Sequence, residues 1–279
     1  MSEVNQETRA RWAAAARGWE AHADMYRRTT MPVSAWMVEA IAPQPGHMVL
    51  DIAAGMGDTG FFAAELIQPG GTLICSDMIP DMLSAAQRRA EKLGIRNVRF
   101  RQIDAQSIDQ EAASVDGVLC RWGYMLMPDP EAALRETRRV LRAGGSVALA
   151  AWTPAEDNPW ISLPIGELIG RGLVEPPDPS QPGQFTWGPE GLIAEHLEGA
   201  GFVDYQVDVV DFAFTYPSLE GWWQVLVDMA HTVREAAAGM DPDTTADLLA
   251  TLREAAAPWA GEDGALAIPA RTWVAAATV

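Results

Sequence analysis

The chain of 279 residues is long enough for one large domain with insertions, and 48% hydrophobic against 21% charged residues marks a folded globular protein, not a disordered one. A net charge of −18 repels phosphate backbones and anionic lipid, so neither nucleic acid nor a membrane surface is expected as a partner. Two cysteines, Cys75 and Cys120, are too few for a disulfide framework or a zinc site, and no metal is expected. No apolar core follows the charges of the first twelve residues, and no run approaches the roughly 18 apolar residues that cross a bilayer. The expectation is a cytoplasmic, reduced protein.

In chain order, residues 5–41 read as helices. Trp12, Ala15, Ala16 and Trp19 recur at helical spacing, and Met31-Pro32 is expected to divide two segments. From 47 to 152 the pattern alternates. Apolar runs at 48–53, 72–76, 98–103, 117–121 and 146–152 are expected strands. Helices are expected at 59–68, 80–93, 107–113 and 129–142. Strands separated by helices of this length imply βαβ units and a parallel sheet covered on both faces. Asp129 suits an N-cap, Pro130 the first helical position, and Gly144-Gly145 the stop. Residues 154–188 hold seven prolines and read as a helix over 160–172 with a long loop after it. A helix over 189–200 and a strand over 202–214 resume the α/β pattern. Residues 218–259 read as helical and 270–279 as a last strand.

The segment Val49-Leu50-Asp51-Ile52-Ala53-Ala54-Gly55-Met56-Gly57-Asp58-Thr59-Gly60 ends a strand and opens a helix. Gly55, Gly57 and Gly60 alone fit a dinucleotide fingerprint, and Asp77, at the end of the second strand, fits a ribose-binding acid. Acids nevertheless close three successive strands: Asp51, Asp77 and Asp104. A pyrophosphate gains nothing from such an edge. A cationic amino-acid group joined to adenosine does, because carboxylates accept from ammonium, ribose hydroxyls and an adenine amino group.

The segments VLDIAAGMGDTG (49–60), ICSDMIPDML (74–83), FRQIDAQSI (100–108), VDGVLCRWGYMLMPDP (115–130) and ALRETRRVLRAGGSVALAAW (133–152) together resemble the class I S-adenosylmethionine-dependent methyltransferases. The likeness is to the small-molecule branch that includes the ubiquinone and menaquinone biosynthesis enzymes. One departure is Ala53, where the family's loop has its first glycine. The resemblance implies a Rossmann-like three-layer α/β sandwich: a seven-stranded, mostly parallel sheet whose last strand runs antiparallel. It implies S-adenosylmethionine as cofactor and S-adenosylhomocysteine as product. By position, Asp51, Ala53, Gly55 and Gly57 would line the methionine portion. Asp77 would hold the ribose, Met78 would pack on the adenine, and Asp104 and Ala105 would meet the adenine amino edge. Arg121 would close the methionine end. Residues 43–153 would form the cofactor core, rejoined by 189–214 and 266–279. Residues 1–42, 154–188 and 215–265 would form a helical cap.

Methyl transfer from a sulfonium needs proximity and water exclusion, and a base only when the acceptor must lose a proton. His22 in the N-terminal helix and His231 in the second insertion are the candidate bases, with Tyr26 and Tyr124 as weaker ones. His47 lies at the wrong end of the first strand, and His196 is expected to face solvent. The chain holds 11 tryptophans, many outside the expected sheet. Trp122, Tyr124, Trp222 and Trp223 are candidate acceptor-pocket residues. Because adjacent helical positions cannot both face a core squarely, Trp222 or Trp223 should line a cleft or an interface, so a homodimer stays open. The expected acceptor is a small, largely apolar, aromatic or polyketide-like molecule of secondary metabolism. Three rivals remain: an S-adenosylmethionine-binding enzyme catalysing another reaction such as cyclisation, a nicotinamide-dependent oxidoreductase, and a partner-binding domain.

Overall fold

The computed structural model describes residues 3–279, with side-chain surroundings from residue 10 onward. The first two residues of the expected N-terminal cap lie outside the described residues. The elements run α1 (Glu3–Ala40), β1 (Met48–Asp51), α2 (Asp58–Leu66), β2 (Thr72–Asp77), α3 (Pro80–Leu93), β3 (Val98–Gln102), β4 (Val115–Arg121), α4 (Pro130–Val140), β5 (Leu141–Trp152), α5 (Pro159–Gly170), α6 (Leu192–Gly199), β6 (Val203–Tyr216), α7 (Leu219–Met229), α8 (His231–Gly239), α9 (Pro242–Ala256) and β7 (Leu266–Thr278). They form a seven-stranded sheet in the order β3-β2-β1-β4-β5-β7-β6. β1, β2, β3, β4 and β5 pair in parallel, and β7 runs antiparallel to β5, as expected for the last strand.

Chain packing divides the molecule into two compact units. The sheet unit comprises Thr30–Pro154, Pro179–Val210 and Thr272–Val279. The helical unit comprises residues up to Thr29, Ala155–Asp178 and Asp211–Arg271. In the sheet unit, the continuous apolar runs predicted for strands covered on both faces are fully buried at Val49, Leu50, Leu73, Val118, Leu119 and Val147. In the helical unit, Trp222, Phe214, Leu248, Leu252 and Val233 form the core.

Three expected boundaries give way to tertiary interactions. First, Met31-Pro32 does not split the N-terminal helix. α1 continues through Pro32, because Val33, Met37 and Val38 beyond it are fully buried and their burial offsets the lost hydrogen bond. Second, 107–113 is not helical. The Ile108 N–H donates to Glu136 Oε2 at 2.9 Å, while the Ile108 and Gln110 carbonyls accept from Arg139 at 2.8 and 2.9 Å. Side chains of α4 thus take backbone groups that a helix would have used. Third, α4 stops at Val140, before the Gly144-Gly145 pair, because Leu141 already pairs with Val115 of β4. The N-cap expectation holds: Asp129 accepts from the Ala132 N–H at 2.8 Å.

Candidate cofactor site at the strand ends

The loop between β1 and α2 is pinned to both neighbouring strands. Ile52 N–H donates to the Leu119 carbonyl of β4 at 2.8 Å, and Ala54 N–H to the Ser76 carbonyl of β2 at 2.9 Å. Ser76 Oγ donates to the Asp51 carbonyl at 2.8 Å. Gly55 (φ 54°) and Gly57 (φ 81°) take left-handed conformations that suit glycine. A Cβ built on Gly55 meets nothing within 4 Å, so this stretch of backbone is open to a ligand.

Register places the charged groups. Asp51 of β1 pairs with Cys75 of β2 on one side and with Leu119 of β4 on the other. Asp77 and Arg121 lie two residues further along those strands, so all three side chains share one sheet face and flank the loop. Asp77 accepts from the Gly55 N–H and the Ile79 N–H, both at 2.9 Å. It therefore fixes the loop as well as offering oxygens to a ligand. Burial raises its carboxyl above the usual range, against the backbone N–H groups that lower it. Asp51 accepts from the Gly60 N–H at 3.0 Å in the first turn of α2. Burial pushes Asp51 up to about 7, opposed by the nearby Arg121 guanidinium.

Asp104 lies beyond the end of β3, half-buried. It accepts from the backbone and side-chain nitrogens of Gln106 at 3.0 and 3.1 Å. Ala105 is buried beside it and Met78 is half-buried, its carbonyl accepting from Gln102 Nε2 at 3.0 Å. Ala53 takes φ 50°, the left-handed conformation of the glycine it replaces.

Arg121 donates to Thr30 Oγ1 at 2.5 Å and Ser34 Oγ at 3.1 Å, both on α1. Its guanidinium carbon stands 4.9 Å from the ring centroid of Trp122. Trp122, at φ 58°, stacks on Trp152 at 4.3 Å and donates from Nε1 to Thr272 at 2.9 Å. Tyr124 is held within the packing of the sheet unit. It is 2% exposed, its hydroxyl is bonded to Thr137 Oγ1 at 2.7 Å, and its ring stacks on Trp187 at 6.0 Å. It packs α4 against the loop after β4. His196 is half-buried: it stacks on Trp187 at 4.4 Å, and burial lowers its affinity for a proton, against Glu131 and Glu195, which raise it.

The other candidates lie in the helical unit. His22 Nε2 is 2.8 Å from Asp228 Oδ2 of α7, and Gln224 Nε2 donates to the other oxygen at 2.8 Å. Tyr26 is buried between Trp19 (4.8 Å) and Phe214 (5.7 Å). His231 begins α8 and pairs with Glu235 at 3.1 Å, one turn along. Trp222 and Trp223 are both buried, at 0% and 8% exposure, so neither supplies an exposed interface ring. The helical unit wraps α7 on two sides: Trp222 donates to the Trp160 carbonyl at 2.8 Å and packs near Tyr216. Sequence reasoning missed Asp228, which sits 206 residues from His22 and has no local signal. It also missed Thr30 and Ser34, which look like ordinary helical residues.

An open glycine loop between two buried carboxylates, at the carboxyl ends of parallel strands, defines a Rossmann-like nucleoside-binding domain. The donor set fits an adenosyl amino acid: acceptors for hydroxyls and ammonium, and backbone that admits close approach. Residues 43–159, less than half of the chain, match the family model described as a methyltransferase domain, and that stretch is an S-adenosylmethionine-dependent methyltransferase domain. The chain is 29% identical over 203 residues to nocamycin O-methyltransferase of Saccharothrix syringae, covering 68% of this chain and 72% of that one. It is 33% identical over 132 residues to an uncharacterised protein of Mycobacterium bovis, covering 47% of each, and so spans about half of that relative's length. Phosphoethanolamine N-methyltransferase 2 of Haemonchus contortus, solved with S-adenosylhomocysteine, shares the fold at a TM-score of 0.53 and 18% identity, over 88% of this chain and 52% of that one. Among the described residues no group of three or more His, Cys, Asp or Glu could hold a metal, and no helix is long and apolar enough to cross a membrane.

Proposed function

We propose that the chain methylates a hydroxyl of a small, largely apolar metabolite, aromatic or polyketide-like, in secondary metabolism. The observation that carries the donor half is the loop from Asp51 to Gly60 held by Asp77. The acceptor half rests on the His22–Asp228 pair, on the aromatic side chains gathered in the helical unit, and on the likeness to an O-methyltransferase acting in nocamycin chemistry.

When bound, S-adenosylmethionine supplies a methyl group already activated on a sulfonium. Asp77 accepts the ribose hydroxyls. Asp104 accepts from the adenine amino group, with Met78 and Ala105 against the ring. Asp51 offers its carboxylate to the ammonium, while Gly55 lets backbone approach the methionine portion. Trp122 adds an apolar wall. Because His22 Nε2 is held by Asp228, Nδ1 is the ring nitrogen left to act as a base. His231 and Tyr26 act in packing and ion pairing.

Calorimetric titration with S-adenosylhomocysteine tests the donor half. The parent chain should bind with micromolar affinity and Asp77→Ala should not. A parent that does not bind would remove the reading. Transfer of labelled methyl from S-adenosylmethionine to hydroxylated aromatic compounds, lost in His22→Gln, tests the acceptor half.

A further inference from the structure

The indole of Trp19 stands apart from others in the chain. Trp122, Trp160, Trp222 and Trp273 each donate from Nε1, to Thr272, Asn158, the Trp160 carbonyl and the Gly188 carbonyl in turn. Trp19 Nε1 is closed off from solvent and has no hydrogen-bond partner among the described residues. A buried donor of this kind carries the full desolvation cost of its N–H with no bond to offset it, so such groups are rare and call for a cause.

Its surroundings in the helical unit supply one. Trp19, His22 and Tyr26 follow one another at spacings of three and four residues, so they share one face of α1. Tyr26 meets Trp19 edge-on at 4.8 Å, and the rings continue through Phe214, 5.7 Å from Tyr26, to Trp160, 4.5 Å from Phe214. A flat aromatic molecule suits such a wall. Trp19 is only half-buried, and ring contacts with Trp12 at 6.2 Å and with Tyr26 surround it. No hydrogen bond fixes its side-chain torsions. Turning the ring toward its open flank therefore breaks no bond, and a ligand oxygen against that flank gains a hydrogen bond that the closed position does not make.

The neighbouring histidine narrows the choice of oxygen. A ketone beside a phenolic hydroxyl holds the hydroxyl proton in an internal hydrogen bond, which hinders its removal. A second donor on the ketone oxygen competes with that bond and stabilises the charge that spreads onto the ketone as the hydroxyl ionises. A base at His22 and an N–H donor at Trp19, one turn apart on the same helix face, match two such neighbouring oxygens.

We propose that Trp19 is a specificity-determining residue whose indole N–H receives a carbonyl oxygen next to the hydroxyl to be methylated, so that the acceptor is an ortho-hydroxy aryl ketone. This rests on the acceptor reading above and narrows it to one class of aromatic compound.

The test is calorimetry on the full chain, saturated with S-adenosylhomocysteine, with two matched probes. One is fluorenone bearing its hydroxyl beside the carbonyl; the other is the corresponding hydroxyfluorene, with a methylene in the carbonyl's place. The parent should bind the ketone about tenfold more tightly, the scale of a hydrogen bond to a donor otherwise left unpaired. Trp19→Phe and Trp19→Leu, which remove the N–H, should each erase that preference, and an unchanged affinity for S-adenosylhomocysteine shows that the variants are folded. The preference of the parent needs no variant to read: equal binding of the two probes there overturns the proposal, as does a preference that survives in both variants. Methylation of both probes that is lost in His22→Gln would then leave the acceptor reading standing. A parent that neither binds nor methylates either probe would remove both.

Discussion

Ala53 and Gly123 share one small space. A Cβ built on Gly123 falls 2.8 Å from the Ala53 methyl and 2.6 Å from Cys120 Sγ. The methyl that replaces the loop's first glycine is therefore accommodated because residue 123, on the turn after β4, has no side chain. Gly123→Ala should destabilise the chain by about 2 kcal/mol through overpacking and should weaken S-adenosylhomocysteine, since the loop must shift. Ala53→Gly relieves a left-handed conformation costing roughly 1 kcal/mol and should leave binding at or above the parent level. Urea unfolding with titration of both variants checks this. A Gly123→Ala chain as stable as the parent would contradict the shared-space account.

Asp51 gives stability and cofactor binding opposite pH dependences. Burial raises its carboxyl from 3.8 to about 7. Between those values the folded chain holds a proton that the unfolded chain releases, so Asp51's contribution to stability is present at low pH and is lost as pH climbs to about 7. Binding of an ammonium needs the ionised carboxylate, so S-adenosylhomocysteine affinity should fall as pH drops below about 7. Thermal unfolding and calorimetry from pH 8 to 5.5 should show melting temperature rising while affinity falls. Asp51→Asn should flatten its share of both trends. A parent affinity that does not change across that range would remove Asp51 from the ammonium site.

The sheet was legible because its strands are apolar runs separated by helices of ordinary length, and such a pattern has few other solutions. The glycine loop was legible for a related reason: left-handed backbone and strand-end acids are local features. What escaped was set by pairs distant in sequence. The backbone at 107–113 was claimed by Glu136 and Arg139. Proline at 32 was tolerated because the residues after it are buried. Trp222 and Trp223 defied the one-face rule because α7 is covered on two sides, which no periodicity within the helix reveals. Tyr124 looked available until Thr137 took its hydroxyl.

Gly18 sets the distance between His22 and Asp228. A Cβ on Gly18 would lie 1.9 Å from the Asp228 carbonyl oxygen, so α1 can sit against the end of α7 only where residue 18 is glycine. Arg234 of α8 ties the same junction, donating to the Ala14, Val227 and Asp228 carbonyls. In an open helix interior, Gly→Ala stabilises by about 0.5–1 kcal/mol. Here it should destabilise by about 2 kcal/mol or more. It should also lower methyl transfer by separating the pair, with S-adenosylhomocysteine affinity unchanged because the cofactor residues lie in the sheet unit. A Gly18→Ala chain that melts above the parent would show that the approach is looser than these distances say.

Arg89 of α3 and Asp58 of α2 form an ion pair at 2.7 Å with side-chain exposures of 5% and 3%. Both charges have left water, so the pair adds less to stability than its geometry suggests, whereas removing one partner strips a buried charge of its counter-ion at 2.7 Å. Asp58 also opens α2 at the helix end that favours an anion, directly after the glycine loop. Arg89→Met should therefore cost about 3–5 kcal/mol. Adding Asp58→Asn should recover part of that loss by removing the buried charge, although it gives up the favourable placement at the helix start. The urea midpoints of the two single variants and the double decide the matter. If the losses simply add, the two side chains are not energetically coupled and α2 is anchored beside the loop by apolar packing alone.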